Sequence, residues 1–312
     1  MRVHKFNSLD KSLFQNPVIT IGIFDGVHKG HLQIIQTLKD KAKEIKGESV
    51  LVTLWPHPRM ILYPDKELKL LVTFEEKLLL LEQLNIDHLV IIPFDKEIAR
   101  ITAQEFIRFL VEKIGMRYLV IGFDNHFGHN KEGNFNTIAE TASQLKFKII
   151  HLPAVFEESE KISSTNIRVN LELGDVEKTA QLLGYNYSIT GKVVKGSMLG
   201  RTIGFPTANI EPSPVKMLPR VGVYAVMVNV EDKKYMGMLN IGFRPTVEKI
   251  LLHKTIEVYI INFKGDLYDK EITVTFAKRL RDEVKFSGID ELKIQLEKDK
   301  EESIQILKGY NL

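Results

Sequence analysis

The hydrophobic period of this chain changes once, near Gly184, and no single layer architecture suits both halves. Before that point, apolar runs rich in β-branched residues fall at positions 18–24, 50–55, 89–93, 118–123 and 148–152. Helical patterns separate them. Leu32, Ile35, Leu38, Ala42 and Ile45 recur every three or four residues, and similar stripes run over 74–84 and 102–114. Strands alternating with helices predict a parallel sheet covered on both faces, with ligands bound beyond the strand C-termini. A short helix over 174–183, with Asp175 as N-cap and Gly184 as stop, closes this half.

After Gly184 the apolar residues alternate with period two over 187–194, 222–230, 235–241, 255–263 and 270–276. Turn residues separate these runs, which predicts hairpins in an antiparallel sheet or small barrel. A closing helix from about 288 to 307 carries Ile289, Leu292, Ile294, Leu296 and Ile304. The 312 residues exceed the roughly 250–300 that one hydrophobic core organises, so two domains are expected, 1–184 and 185–312.

Composition matters here for what it removes. The chain has no Cys, which excludes disulfide staples, thiolate zinc sites and cysteine nucleophiles, and is compatible with a reducing cytoplasm, where the protein is expected. The opening residues lack the apolar run of a signal peptide, and no stretch approaches the roughly 20 apolar residues of a spanning helix, so no membrane partner is expected. A net charge of +3 does not demand nucleic acid, and no Arg-rich run or basic stripe interleaved with aromatics suggests it. It does not repel a polyphosphate either.

In the first half, the strand at 18–24 runs into Gly22-Ile23-Phe24-Asp25-Gly26-Val27-His28-Lys29-Gly30-His31 and then a helix. Gly22, Gly26 and Gly30 let backbone approach a ligand closely, and the helix N-terminus offers unpaired N–H groups to anions. His28 and His31, three apart, share one side of the first turn, where either imidazolium or a neutral imidazole can donate to phosphoryl oxygens. Further on, Ile162-Ser163-Ser164-Thr165-Asn166-Ile167-Arg168 sets three hydroxyls before a helix and adds a planar, permanently charged fork. Capping alone also accounts for Ser and Thr at such a place.

In the second half, Lys195-Gly196-Ser197-Met198-Leu199-Gly200-Arg201 is a loop whose glycines, Lys195 and Arg201 suit folding over a polyphosphate, although it is not a Walker loop. Pro206-Thr207-Ala208-Asn209 follows. In an extended segment Thr207 and Asn209 point to one face, and their hydroxyl and amide oxygens are hard donors of the kind magnesium takes. A plain turn before a strand explains the same residues. Around Glu257, Ile256 and Val258 would face one side of a strand while Glu257 and Tyr259 face the other.

The motifs resemble a known family. His28-Lys29-Gly30-His31 after a strand, and Ile162-Ser163-Ser164-Thr165-Asn166-Ile167-Arg168, are similar to the signatures of nucleotidyltransferases. The loop Gly122-Phe123-Asp124-Asn125-His126-Phe127-Gly128 resembles the Asp-Phe-x-Phe-Gly loop of bacterial flavin adenylyltransferases, departing from it at Asn125 and His126. Trp55-Pro56-His57-Pro58 resembles a nucleotide-facing segment of the same group. Gly200-Arg201-Thr202-Ile203-Gly204-Phe205-Pro206-Thr207-Ala208-Asn209 is similar to the riboflavin kinase signature, and Arg281-Asp282-Glu283-Val284-Lys285-Phe286 to its flavin-side segment. In order and coverage the chain resembles the bacterial bifunctional riboflavin kinase/FAD synthetases.

That resemblance implies a Rossmann-like α/β nucleotidyltransferase domain followed by a six-stranded antiparallel β-barrel with a closing helix. It implies phosphorylation of riboflavin to FMN and adenylylation of FMN to FAD, with Mg2+ required and ATP as co-substrate. Riboflavin, FMN, FAD and ATP are the expected partners, and a monomer or weak homo-oligomer the expected state. Glu257 is implied as the kinase base, with Thr207 and Asn209 on Mg–ATP and Lys195, Gly196, Gly200 and Arg201 around the phosphates. For adenylylation, His28, His31 and Arg168 are implied as catalytic, with Gly22, Phe24, Asp25, Gly26, Gly30, Ser163, Ser164 and Thr165 on ATP. Asp124, Asn125 and Phe127 are implied for flavin in the first domain, and Arg281 and Phe286 in the second. Two rival readings stay open: riboflavin kinase activity alone, and a non-catalytic protein that responds to flavin or nucleotide.

Overall fold

A computed structural model describes residues 1–123, 128, 135–196, 199–231, 233–244 and 253–310. The expected flavin residues Asp124, Asn125 and Phe127 lie outside the described residues, as do Ser197 and Met198 of the glycine loop. The chain forms two compact units, divided between Ser164 and Thr165.

The first unit contains, in order, β1 (Arg2–Lys5), β2 (Val18–Gly22), α1 (Lys29–Glu44), β3 (Ser49–Trp55), α2 (Pro58–Leu62), α3 (Phe74–Gln83), β4 (His88–Pro93), α4 (Ala103–Ile114), β5 (Tyr118–Ile121), α5 (Phe135–Leu145), β6 (Lys148–His151) and a small hairpin of β7 (Phe156–Glu157) and β8 (Glu160–Lys161). Six strands form one sheet in the order β1-β4-β3-β2-β5-β6, every pair parallel. The helices start where capping chemistry allows. Thr73 with Glu76, and Thr102 with Glu105, form capping boxes, and Gly115 ends α4 in the left-handed region at φ 78°. Alternation along the strands feeds both faces: Ile19, Ile21, Val50 and Val52 pack with α4 and α5, while Val18 meets Leu38 and Ala42 of α1. Each such buried side chain contributes about 1.5–3 kcal/mol over its exposed state. The sheet order reverses between β2 and β5, so the crevice for a ligand opens at their C-terminal ends.

The short edge strand β1 was not among the expected runs; its exposed, charged sequence Arg-Val-His-Lys carries no apolar alternation. The first expected strand also ends early, at Gly22, because Phe24 turns to φ 52°.

The second unit opens with α6 (Ser164–Leu173), whose first residue closes the preceding unit, and α7 (Val176–Leu183). Asp175 caps α7 by accepting from the Lys178 N–H, and Gly184 stops it at φ 88°. Then follow β9 (Ser188–Val194), α8 (Leu199–Thr202), β10 (Thr207–Pro212), β11 (Gly222–Val230), β12 (Lys233–Arg244), β13 (His253–Ile260), β14 (Glu271–Arg281) and α9 (Ile289–Leu307). The six strands close into an antiparallel barrel in the order β10-β13-β12-β11-β14-β9. Helix α9 lies along its outside. Leu292 and Leu296 pack with Ile203, Phe205, Met238 and Tyr259, and Leu307 with Ala225, Met227 and Ala277. Ile289 and Ile294, two of the apolar residues the helix carries, face solvent. Their places on α9 belong to Asp299 and Ser303, which are buried.

Candidate active sites

At the end of β2 the chain turns sharply. Phe24 and Val27 adopt φ 52° and 37°, and Gly26 φ 85°; for a β-branched residue such as Val27 this is strained backbone that only its surroundings can hold. Those surroundings are specific. The Asp25 carboxylate, buried, accepts from the N–H groups of Leu71 (3.0 Å) and Val72 (3.3 Å). Ser164 Oγ donates to the Asp25 carbonyl at 2.9 Å, which brings the middle of the Ser-Ser-Thr motif onto the turn. Lys77 Nζ donates to the Ile23 carbonyl at 2.8 Å. Phe24 is buried against His31, so its backbone rather than its ring faces the crevice. A Cβ on Gly22 would press on the Phe24 ring at 2.9 Å.

The two histidines meet face to face, ring centroids 3.6 Å apart and planes 14° apart. His28 caps α1, its Nδ1 accepting from the His31 N–H at 3.3 Å. A neutral His28 therefore carries its proton on Nε2. A Cβ on Gly30 would come within 3.2 Å of the same imidazole, so glycine keeps the stack open. Burial pushes the His28 imidazole down to about 4. Burial, then His28 and Lys77 nearby, hold His31 well below its usual value. His31 is half-buried as a residue, yet its Nδ1 is sealed from water without a partner. Both rings are neutral near pH 7, which selects neutral N–H donation over imidazolium.

Trp55, at the end of β3, packs against Phe74, and Lys77 lies 5.3 Å from its ring centroid. His57 caps α2 through Nδ1. Ser163 is half-buried beside Ser164, while Thr165, exposed, and Arg168, half-buried, lie on α6 within the second unit.

In the barrel, strand register does what no local pattern reveals. Asn209 stands opposite Glu257, Glu257 opposite Asn240, Asn240 opposite Val223, and Val223 opposite Arg281. Opposed residues share a face, so this row crosses the outer surface of four strands and reaches a fifth. Next to it Thr207 Oγ1 donates to Glu257 Oε2 at 3.2 Å. A cavity of about 270 Å³ lies over the row, under α9, with Gly200, Thr207, Glu257, Arg281 and Phe286 in its wall. A smaller cleft of about 110 Å³ opens on the other side of Thr207, between Arg201, Phe263 and Tyr268. Thr207 borders both.

Gly200 sits in α8 where the chain folds back: a Cβ there would collide with the Phe205 carbonyl. Gly196 is in turn packed by the Asn209 amide. Lys195 is exposed, and Arg201 donates to the Tyr268 hydroxyl at 3.2 Å.

Several residues that shape these sites were not singled out from the sequence. Asp299 accepts a two-pronged bond from Arg281, at 3.0 Å from Nε and 2.6 Å from Nη2, and a third from Gln295 at 2.8 Å. In sequence it sits between two lysines and reads as solvated charge; its spacing of three and seven from Leu296 and Leu292 was the available clue. Asn240 donates to Glu283 at 3.0 Å and leaves its own Oδ1 buried without a partner. Lys77 shares the buried face of α3 with Leu81.

Comparison with known proteins follows the same division. The FAD synthetase family model matches residues 10–166 and the riboflavin kinase model residues 183–307. A bifunctional riboflavin kinase/FMN adenylyltransferase of Bacillus subtilis (strain 168) is 39% identical over 290 residues, 92% of each chain. That of Escherichia coli (strain K12) is 35% identical over 299 residues, 95% of each. A crystal structure from Streptococcus pneumoniae, named as a macrolide-efflux protein, superposes with a TM-score of 0.88 at 30% identity and covers the whole of both chains. Among the described residues here, no helix is long and apolar enough to cross a membrane.

Proposed function

Because the chain belongs to the bifunctional riboflavin kinase/FMN adenylyltransferase family, we propose that it makes FMN and then FAD at two separate sites. The row from Asn209 to Arg281, with Thr207 bonded to Glu257 between two clefts, is the observation that carries the kinase half. The larger, mostly apolar cavity suits the isoalloxazine ring, with Arg281 and Phe286 in its wall; the cleft by Arg201 suits the nucleotide. The ribityl hydroxyl then meets the γ-phosphoryl group at Thr207. Glu257 takes the hydroxyl proton, the freed oxygen attacks phosphorus, and ADP leaves.

Magnesium fits this place. Thr207 and Asn209 supply two hard oxygens beside a carboxylate, and among the described residues no group of three or more His, Cys, Asp or Glu is placed to hold a metal ion. A donor set of this kind leaves the remaining positions to water and phosphate, as magnesium prefers. When bound, the ion neutralises phosphate charge. Lys195, Gly196, Gly200 and Arg201 form the loop around that phosphate chain.

In the first unit, a phosphate oxygen of FMN attacks the α-phosphorus of ATP and pyrophosphate leaves. His28 Nε2–H and the His31 imidazole donate to the phosphoryl oxygens as charge builds, aided by the N-terminus of α1 and the backbone of residues 22–26. Ser163 and Ser164 serve the triphosphate, and Asp124, Asn125 and Phe127 the flavin. We assign 1–184 to adenylyl transfer and 185–312 to the kinase, in a cytoplasmic monomer or weak homo-oligomer.

Incubation of the full chain with riboflavin and Mg–ATP, followed by chromatographic separation of the flavins, tests the reading. FMN is expected first and FAD after it. Bound flavin with no product would favour a binding role, and FMN without FAD the kinase alone.

A further inference from the structure

Lys77 belongs to α3 and to neither phosphate motif, yet the residue is only 2% exposed and its ammonium reaches the turn that follows β2. An ammonium of that kind loses most of its hydration and needs hydrogen bonds or opposite charge to compensate. Here the cation donates a hydrogen bond to the Ile23 carbonyl at 2.8 Å and lies over the Trp55 ring. The titratable groups facing it are Asp25 on the turn, whose charge favours the ammonium, and the neutral His31 on α1. Ile23 is the last residue before the left-handed Phe24, and Phe24 packs on His31, which stacks on His28. The contacts form an unbroken series from the ammonium to the stacked imidazoles.

We propose that Lys77 is a positioning residue for adenylyl transfer, its ammonium clamping the Ile23 carbonyl so that the strained 24–27 turn presents His28 and His31 to the phosphoryl group. The inference rests on the adenylyl-transfer reading above. A charged donor is about twice as strong as a neutral one at such a carbonyl, and it acts on backbone that would otherwise relax. Burial holds the Lys77 ammonium at about 8, so this clamp weakens within reach of ordinary buffers.

The test uses the full chain, supplied FMN and Mg–ATP. Lys77→Met keeps the alkyl stem and removes the donor; kcat for FAD formation is expected to fall about 100-fold, the cost of a small misplacement of catalytic groups, with KM for FMN within about twofold. Riboflavin phosphorylation by the same sample stays unchanged and reports intact protein. Trp55 is the only tryptophan, so its emission reports folding around residue 77. Native emission together with an undiminished kcat, or a loss confined to KM, overturns the proposal. Should Lys77→Met disturb folding, the unmodified protein decides. Its kcat for FAD formation should decline as pH rises through about 8, in step with a Trp55 emission change, while the kinase step does not follow. A flat FAD rate across a Trp55 transition also overturns it. Unmodified protein that forms no FAD from FMN at any pH refutes the adenylyl-transfer reading itself, a different failure.

Discussion

At the scale of single residues, burial decides chemistry that residue type leaves open. A histidine before a helix can be a cation or a neutral donor; the stacked, dry environment of His28 and His31 makes both neutral. The same burial links stability to pH. His28 sits at about 4 when folded against 6.5 unfolded, so the unfolded chain binds more protons between those values. Stability is therefore complete above about 6.5 and is lost as pH falls toward 4, by about 3 kcal/mol from this group. His31 adds in the same direction. Urea unfolding followed by Trp55 emission at pH 4.5–7 (a range set by these shifts) should show that slope, and His28→Asn should flatten it in part. An unaltered slope in the variant would show that imidazole burial is not its cause.

At the scale of elements, α9 acts as the roof of the barrel cavity. It is held by an apolar stripe and by one buried carboxylate, Asp299, which ties Arg281 of β14 to the helix. Removing one partner of such a pair leaves the other unpaired, at a cost of about 3 kcal/mol, the low end of the usual range because Arg281 keeps some contact with water. Asp299→Ala should thus lower the melting temperature of the barrel and raise KM for riboflavin, while FAD formation from supplied FMN is retained. Calorimetry and steady-state kinetics on the one variant check both. If riboflavin KM is unmoved while the barrel melts earlier, α9 is a support and not part of the flavin pocket.

At the scale of the whole molecule, two unlike folds divide two phosphorus chemistries, and their separation is testable by mixing. Glu257→Gln removes the proposed base and should lower riboflavin phosphorylation by about 100-fold or more, leaving adenylylation of supplied FMN. His31→Ala should do the reverse. Neither variant alone should convert riboflavin to FAD, and an equimolar mixture should recover it through free FMN. Failure of the mixture, while each variant keeps its remaining step, would mean that FMN does not leave one chain for another.

Much of this was legible in one dimension because it is periodic or local. The change from helical to two-residue spacing near Gly184 marks where the barrel strands begin, since a buried face must repeat with the geometry of its own element, although the compact units divide earlier, between Ser164 and Thr165. A cap such as Asp175, and the glycines at 22, 30 and 200, could be read from residue type and immediate neighbours. What spacing alone cannot supply is register and depth. Asn209, Glu257, Asn240 and Arg281 are far apart in the chain and become one row only when the barrel closes. Lys77 and Asp299 look solvated in the sequence, because the strands that bury them come from elsewhere, and a charge acquires its meaning from the surfaces packed around it.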